Sequence, residues 1–149
     1  MRIKKVTQTT PVQAEVVDSL DGNSTTNAPS VRAVNDGLLD KYSTDEQVIG
    51  TWFGKKLYRK TFYRSKLING TEETVNHGIA NVDKIWPDVS NSFAIWPSGF
   101  TGNVPYLNSN FANSIFLSDI GATTFKLTSG LDRSNLSGYI TLLYTKTTD

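Results

Sequence analysis

YSTDEQVIGTWFGKKLYRKTF, residues 42–62, reads as a β-hairpin. Residues 48–53 and 57–68 are strand-like, and Gly54-Lys55-Lys56 between them predicts a tight turn. The same rhythm continues downstream. Further strands are predicted at 71–75, 82–86, 93–96, 114–118, 123–127 and 139–145. Turn residues separate them: Asn69-Gly70, Pro87-Asp88, Pro97-Ser98-Gly99, Asp119-Ile120-Gly121 and Ser129-Gly130. Roughly seven or eight short strands with regular turns predict a mainly β chain folded as an antiparallel β-sandwich. In the last strand Ile140, Leu142 and Tyr144 share one face, expected to be the core side. Tyr139, Thr141, Leu143 and Thr145 line the other, where Leu143 is placed to touch a neighbouring subunit.

Upstream of the hairpin the composition changes. The three Trp, six Tyr and seven Phe all fall after Asp40. A segment without large rings rarely builds its own core, so residues 1–40 are expected to be an arm that packs on other chains, and 41–149 the β domain. Within the arm, Val12, Val16, Val17 and Leu20 fit a helix or a buried strand equally well. Residues 20–27 form a turn and loop, after which Asn27 can cap a short helix over 28–39 with Pro29 in its first turn. Val31, Val34 and Leu38 then form one narrow apolar seam, which fits either a coiled coil or a helix lying on its own β domain. A helix of about twelve residues is marginal in water, so it needs a partner surface in either case.

Residues 42–62 resemble a segment that recurs in bacteriophage fibre and receptor-binding proteins. Three further stretches resemble the same family, in the same order: LDGNSTTNAPSVRAVND at 20–36, VNHGIANVDKIW at 75–86 and GYITLLYTKTTD at 138–149. Residues 87–137 match only loosely. The resemblance implies a virion protein, assembled in the host cytoplasm and homotrimeric, with Val31, Val34 and Leu38 at the threefold axis. It also implies an N-terminal arm that attaches to the capsid or tail. The expected function is a trimeric tail-fibre or receptor-binding module adhering to a host surface glycan. The alternative is a structural head-fibre or capsid-decoration protein without its own receptor site.

Composition narrows the chemistry. At 149 residues, with 38% apolar residues and a net charge of +1, the chain can bury one core and lacks the basic excess of a nucleic-acid binder. Without cysteine there is no disulfide framework or thiolate metal site. No run approaches the roughly 18 apolar residues of a membrane span, and the basic start is followed by polar residues, so no membrane insertion is expected. His77 has no acidic neighbour at ligand spacing, which makes a structural role the expectation. The adjacent acids Asp45-Glu46 and Glu72-Glu73 would point to opposite strand faces and cannot converge on one glycosidic bond. With no nucleophile motif either, no catalytic residue, metal or cofactor is expected, and the chain reads as a non-enzyme.

Two features remain for binding. The cations Lys55, Lys56, Arg59, Lys60, Arg64 and Lys66 read either as an anion-attracting patch or as the solvated side of a hairpin. The segment 86–113 is rich in Pro, Gly, Asn and Ser and carries aromatics, whose flat faces stack on sugars. Trp96, Phe100 and Tyr106 are its candidate ligand-binding residues. Trp86 and Trp96 fit core packing as well as exposure.

Overall fold

The computed structural model describes residues 42–148 and two short strands upstream, β1 (Val16–Val17) and β2 (Ala28–Pro29). The chain divides into two units, Met1–Asp40 and Lys41–Asp149. In the first, β1 and β2 pair in parallel, Val16 opposite Ala28 and Val17 opposite Pro29. Ala28 and Pro29, expected at the head of a helix, are therefore strand residues. A proline fits there because a two-residue edge pairing does not need its missing N–H. Val31, Val34, Leu38 and the remainder of the expected helix lie outside the described residues, as does the rest of 12–20 around β1.

The second unit is mainly β, and its strands pair antiparallel. β3 (Gln47–Trp52) and β4 (Lys55–Arg64) form the hairpin. Its turn is Phe53-Gly54, one residue earlier than the spacing predicts. Both residues are left-handed, with φ of 48° and 81°, as a primed two-residue turn demands. Gly54 takes that conformation freely, and Phe53 takes it with its ring edge-on to Trp52, centroids 4.7 Å apart. β4 ends at Arg64 rather than continuing to residue 68. Leu67 and Ile68 are nonetheless fully buried, Leu67 donating its N–H to Leu136 O and Ile68 bridging to Arg133.

The chain continues through β5 (Glu72–Asn76), β6 (Val82–Pro87), β7 (Phe93–Ile95), β8 (Thr101–Asn103), β9 (Ile115–Ser118), β10 (Thr124–Ser129) and β11 (Ser137–Lys146). The larger sheet runs β3-β4-β11-β7-β8, and the smaller runs β5-β10-β9. β11 is the spine of the larger sheet. One edge pairs with β4 from Gly138 to Tyr144, while the other pairs with β7 at its start and β6 at its end. β8 is a strand that its sequence, Thr-Gly-Asn, does not announce. It is one because β7 pairs with it, tertiary context overriding propensity.

One core draws on both sheets. Phe125 and Leu127 of β10, Ile115 of β9 and Val75 of β5 join Tyr58 of β4 and Ile140, Leu142 and Tyr144 of β11. Phe62 of β4 meets Phe125 of β10, ring centroids 6.1 Å apart, and Tyr58 stacks on Tyr144 at 5.5 Å. Each fully buried apolar side chain of this size contributes roughly 1.5–3 kcal/mol.

The opposite face of β11 departs from expectation, because Thr141 and Thr145 are fully buried there. Thr141 is covered by the 88–92 loop. Its hydroxyl donates to Asn91 O at 2.8 Å, and its N–H donates to the Ser92 hydroxyl at 2.9 Å. Buried polar groups must find partners, and here the loop supplies them. His77 is likewise buried and structural. Its Nδ1 accepts from Ile79 N–H and its Nε2 bonds Gly121 O, both at 3.1 Å, which pins two turns together.

Candidate functional site

Trp96, Phe100 and Tyr106 come together. Trp96 follows β7 directly, and the β7–β8 loop closes when Trp96 N–H donates to Phe100 O at 2.8 Å and Gly99 N–H returns to Trp96 O at 2.9 Å. Gly99, at φ 85°, makes that reversal without strain. The closure sets the Trp96 and Phe100 rings edge-on, centroids 5.0 Å apart. Beyond β8, Tyr106 is locked to Ile115 by a reciprocal pair of backbone hydrogen bonds, each 2.8 Å. Its ring lies 5.3 Å from Trp96 and 6.4 Å from Phe100, again edge to face, the arrangement aromatic quadrupoles favour. Trp96 and Tyr106 are half-buried against the core, whereas Phe100 is 52% exposed.

The three rings form one wall of a pocket of about 200 Å³, and Asn108, Asn113 and Arg133 complete its lining. Each polar group is held in place. Asn108 donates from Nδ2 to the Tyr106 hydroxyl at 3.2 Å, and its N–H bonds the Ser114 hydroxyl at 3.0 Å. Asn113 ends a short 3-10 turn, Phe111–Asn113, which Asn110 caps by accepting the Ala112 N–H. Arg133 donates from Nη2 to both Asn113 O and Asn113 Oδ1, at 3.0 and 3.2 Å, and from Nε to the Ser129 hydroxyl at 3.3 Å.

The loop carrying Arg133 is fastened by its neighbour. Asp132 accepts N–H bonds from Ser134 and Gly70 and the Ser134 hydroxyl bond. The Ser134 N–H, then the Gly70 N–H, then the Ser134 hydroxyl hold its carboxyl below the ordinary carboxylate range. Asn108, Asn113 and Arg133 are the polar half of the site. The Asn-rich composition of 86–113 pointed to the amides in general, but nothing local marks Arg133, which arrives from the β10–β11 connection twenty positions beyond Asn113.

Other sequence expectations resolve differently. Trp86 sits on the outward face of the larger sheet, opposite Leu143 and 5.1 Å from Trp52, rather than in the core. The cationic run forms no single patch, because alternation along β4 splits it between two faces. Lys55 pairs with Asp83 at 2.7 Å, Arg64 pairs with Glu73, and Arg59 is buried with its guanidinium 3.8 Å above the Tyr42 ring. Glu72 and Glu73 diverge to different cations, Lys126 and Arg64. Among the described residues no group of three or more His, Cys, Asp or Glu is placed to hold a metal, and no helix is long and apolar enough to cross a membrane.

A second, wider hollow of about 530 Å³ lies beside the first, lined by Phe111, Ala112, Phe116, Ser118, Thr128, Ser129 and Gly130. Its surface is mostly apolar, and the Phe111 and Phe116 rings meet there at 5.0 Å. In comparisons with known proteins, no family model matches the chain and no curated protein is significantly similar to it.

Proposed function

We propose that this chain is a bacteriophage virion fibre protein, a homotrimer whose β-sandwich knob adheres to a host surface glycan. In this reading residues 1–40 are an arm and short helix that attach to the capsid or tail and join the subunits through Val31, Val34 and Leu38. The observation that carries it is the convergence of Trp96, Phe100 and Tyr106 with two amides and a guanidinium in the lining of one pocket. An aromatic wall accepts the apolar face of a pyranose, and fixed amide and guanidinium groups bond its hydroxyls, the usual division of labour in a small-ligand site. No carboxylate lines the pocket, so it holds no acid pair for glycoside hydrolysis, and the reading is binding without cleavage.

Purified intact protein is expected to bind one member of a panel of bacterial surface polysaccharides and to leave its chain length unchanged. Phe100→Ala should weaken that binding about tenfold with an unaltered melting temperature, because the ring is exposed. Tyr106→Phe should weaken it less, removing only the hydroxyl that Asn108 orients. Failure of the wild-type protein to bind any polysaccharide on the panel overturns the reading, and shortened polysaccharide overturns its non-enzymatic part.

The structural alternative, a head-fibre or decoration protein, draws on a different surface. The outward face of the larger sheet carries Trp52, Trp86, Tyr63, Tyr139 and Phe93, with Phe53 89% exposed at the hairpin tip. A one-sided antiparallel sheet ordinarily turns polar residues to water, so an aromatic outer face suits packing against protein. Electron microscopy of the labelled virion separates the two readings, by a tail tip against a head surface.

A further inference from the structure

We propose that the Trp96 pocket selects an anionic sugar, one bearing a carboxylate or a phosphate ester, and that Arg133 is the residue that reads the charge. This rests on the glycan-binding reading above and adds the chemical class of the sugar. Arg133 is held in place without being neutralised. Its three acceptors, Ser129 Oγ, Asn113 O and Asn113 Oδ1, are all uncharged. A guanidinium has five N–H groups, and these bonds use Nε–H and the two on Nη2. The two Nη1 hydrogens have no acceptor among the described residues.

The adjacent carboxylate does not supply one, because Asp132 gives Oδ1 to Gly70 and Ser134 N–H and Oδ2 to the Ser134 hydroxyl. Arg64 shows the contrast, since it is matched by Glu73. A half-buried, oriented guanidinium without a counter-ion favours a carboxylate or phosphate, which it can bond with charge assistance and defined geometry. The aromatic wall limits what else enters. At about 200 Å³ the pocket is smaller than the roughly 300–1,000 Å³ that enclose a drug-sized ligand, so it takes one ring at a time. A ring stacked on the aromatic residues then has its acidic substituent within the same pocket that Arg133 lines.

The test titrates intact protein, followed by NMR, with matched probes: glucose against glucuronate and glucose 6-phosphate, and galactose against galacturonate. At least one acidic probe should bind about tenfold or more tightly than its neutral partner, with the advantage shrinking as salt rises. Uronates and the phosphate ester distinguish the two sources of charge. Arg133→Gln should erase the preference, bringing the acidic probe down to the affinity of its neutral partner in the same variant, and Arg133→Lys should restore part of it. The Arg133 side-chain N–H resonances of the wild-type protein provide the same readout without a variant, shifting with the preferred acidic probe and not with its neutral partner. Equal affinity within every pair overturns this inference and leaves the glycan reading standing, whereas binding of no probe overturns both. A preference that survives Arg133→Gln at wild-type melting temperature also overturns it, by placing the charge readout elsewhere.

Discussion

A methyl group added at Gly102 would lie 2.9 Å from Tyr106 Cδ2 and 3.3 Å from Trp96 Cζ3. The Tyr106 ring rests on the bare backbone of β8, and that close approach lets three aromatics share one small wall. Gly102→Ala must therefore push Tyr106 away, at an overpacking cost of about 1–3 kcal/mol. The expected outcome is a lower melting temperature together with loss of polysaccharide binding, read by thermal denaturation and titration. A variant with unchanged binding would show that ring placement does not matter to the site. Phe100 and Tyr106 stand out in the sequence as aromatics set among Gly, Asn and Ser, whereas Trp96 ends a predicted strand and fits core packing as well as exposure. Arg133 was not legible, because its relevance is a long-range placement, the 130–136 loop being tied to Leu67 and Ile68 through Leu136 and Arg133. No spacing in the sequence encodes that approach.

At the scale of elements, β11 was the most readable part of the chain, since the alternation of Ile140, Leu142 and Tyr144 identified the core face correctly. Its other face was misread because Thr is polar by type, whereas Thr141 is buried beneath the 88–92 loop and satisfied by it. β8 was missed for the converse reason, having no strand-forming residue beyond one threonine. The far end of β11 is tied to the approach to β3 through Glu46, which accepts the Tyr144 hydroxyl at 2.6 Å and the Lys146 ammonium at 2.6 Å. Burial pushes the Glu46 carboxyl up. The Lys146 and Tyr144 hydrogen bonds outweigh it and leave the carboxyl below its ordinary value of 4.5. With the folded-state value depressed, the stabilisation is complete above about pH 4.5 and is lost as pH falls through the folded-state value. Glu46→Gln keeps an acceptor for Tyr144 but loses the ion pair. It should lower stability at neutral pH by less than about 1 kcal/mol and flatten the acid limb of a stability–pH curve. An acid limb identical to wild type would place the titration on other carboxylates.

For the whole molecule, the size of the pocket constrains the assembly. On the proposed glycan reading, a pocket that takes one sugar ring has few atoms to contribute, so a single copy would bind weakly and adhesion to a cell would draw on several copies in one assembly. The trimer proposed from the seam at Val31, Val34 and Leu38 meets that need, and light scattering is expected to give three times the 16.5 kDa chain mass. Linking three sites can raise avidity for a repetitive polysaccharide by about 10²–10⁴ over one site without any new contact. The free monosaccharide gains nothing, since it occupies one pocket at a time. Val34→Asp should put like charges into the seam and separate the subunits, lowering polysaccharide avidity about a hundredfold or more while the monosaccharide affinity of each pocket stays the same. A monomer mass for the wild-type chain removes the premise. Equal losses for polymer and monosaccharide would instead trace the variant's effect to the pocket and detach adhesion from assembly.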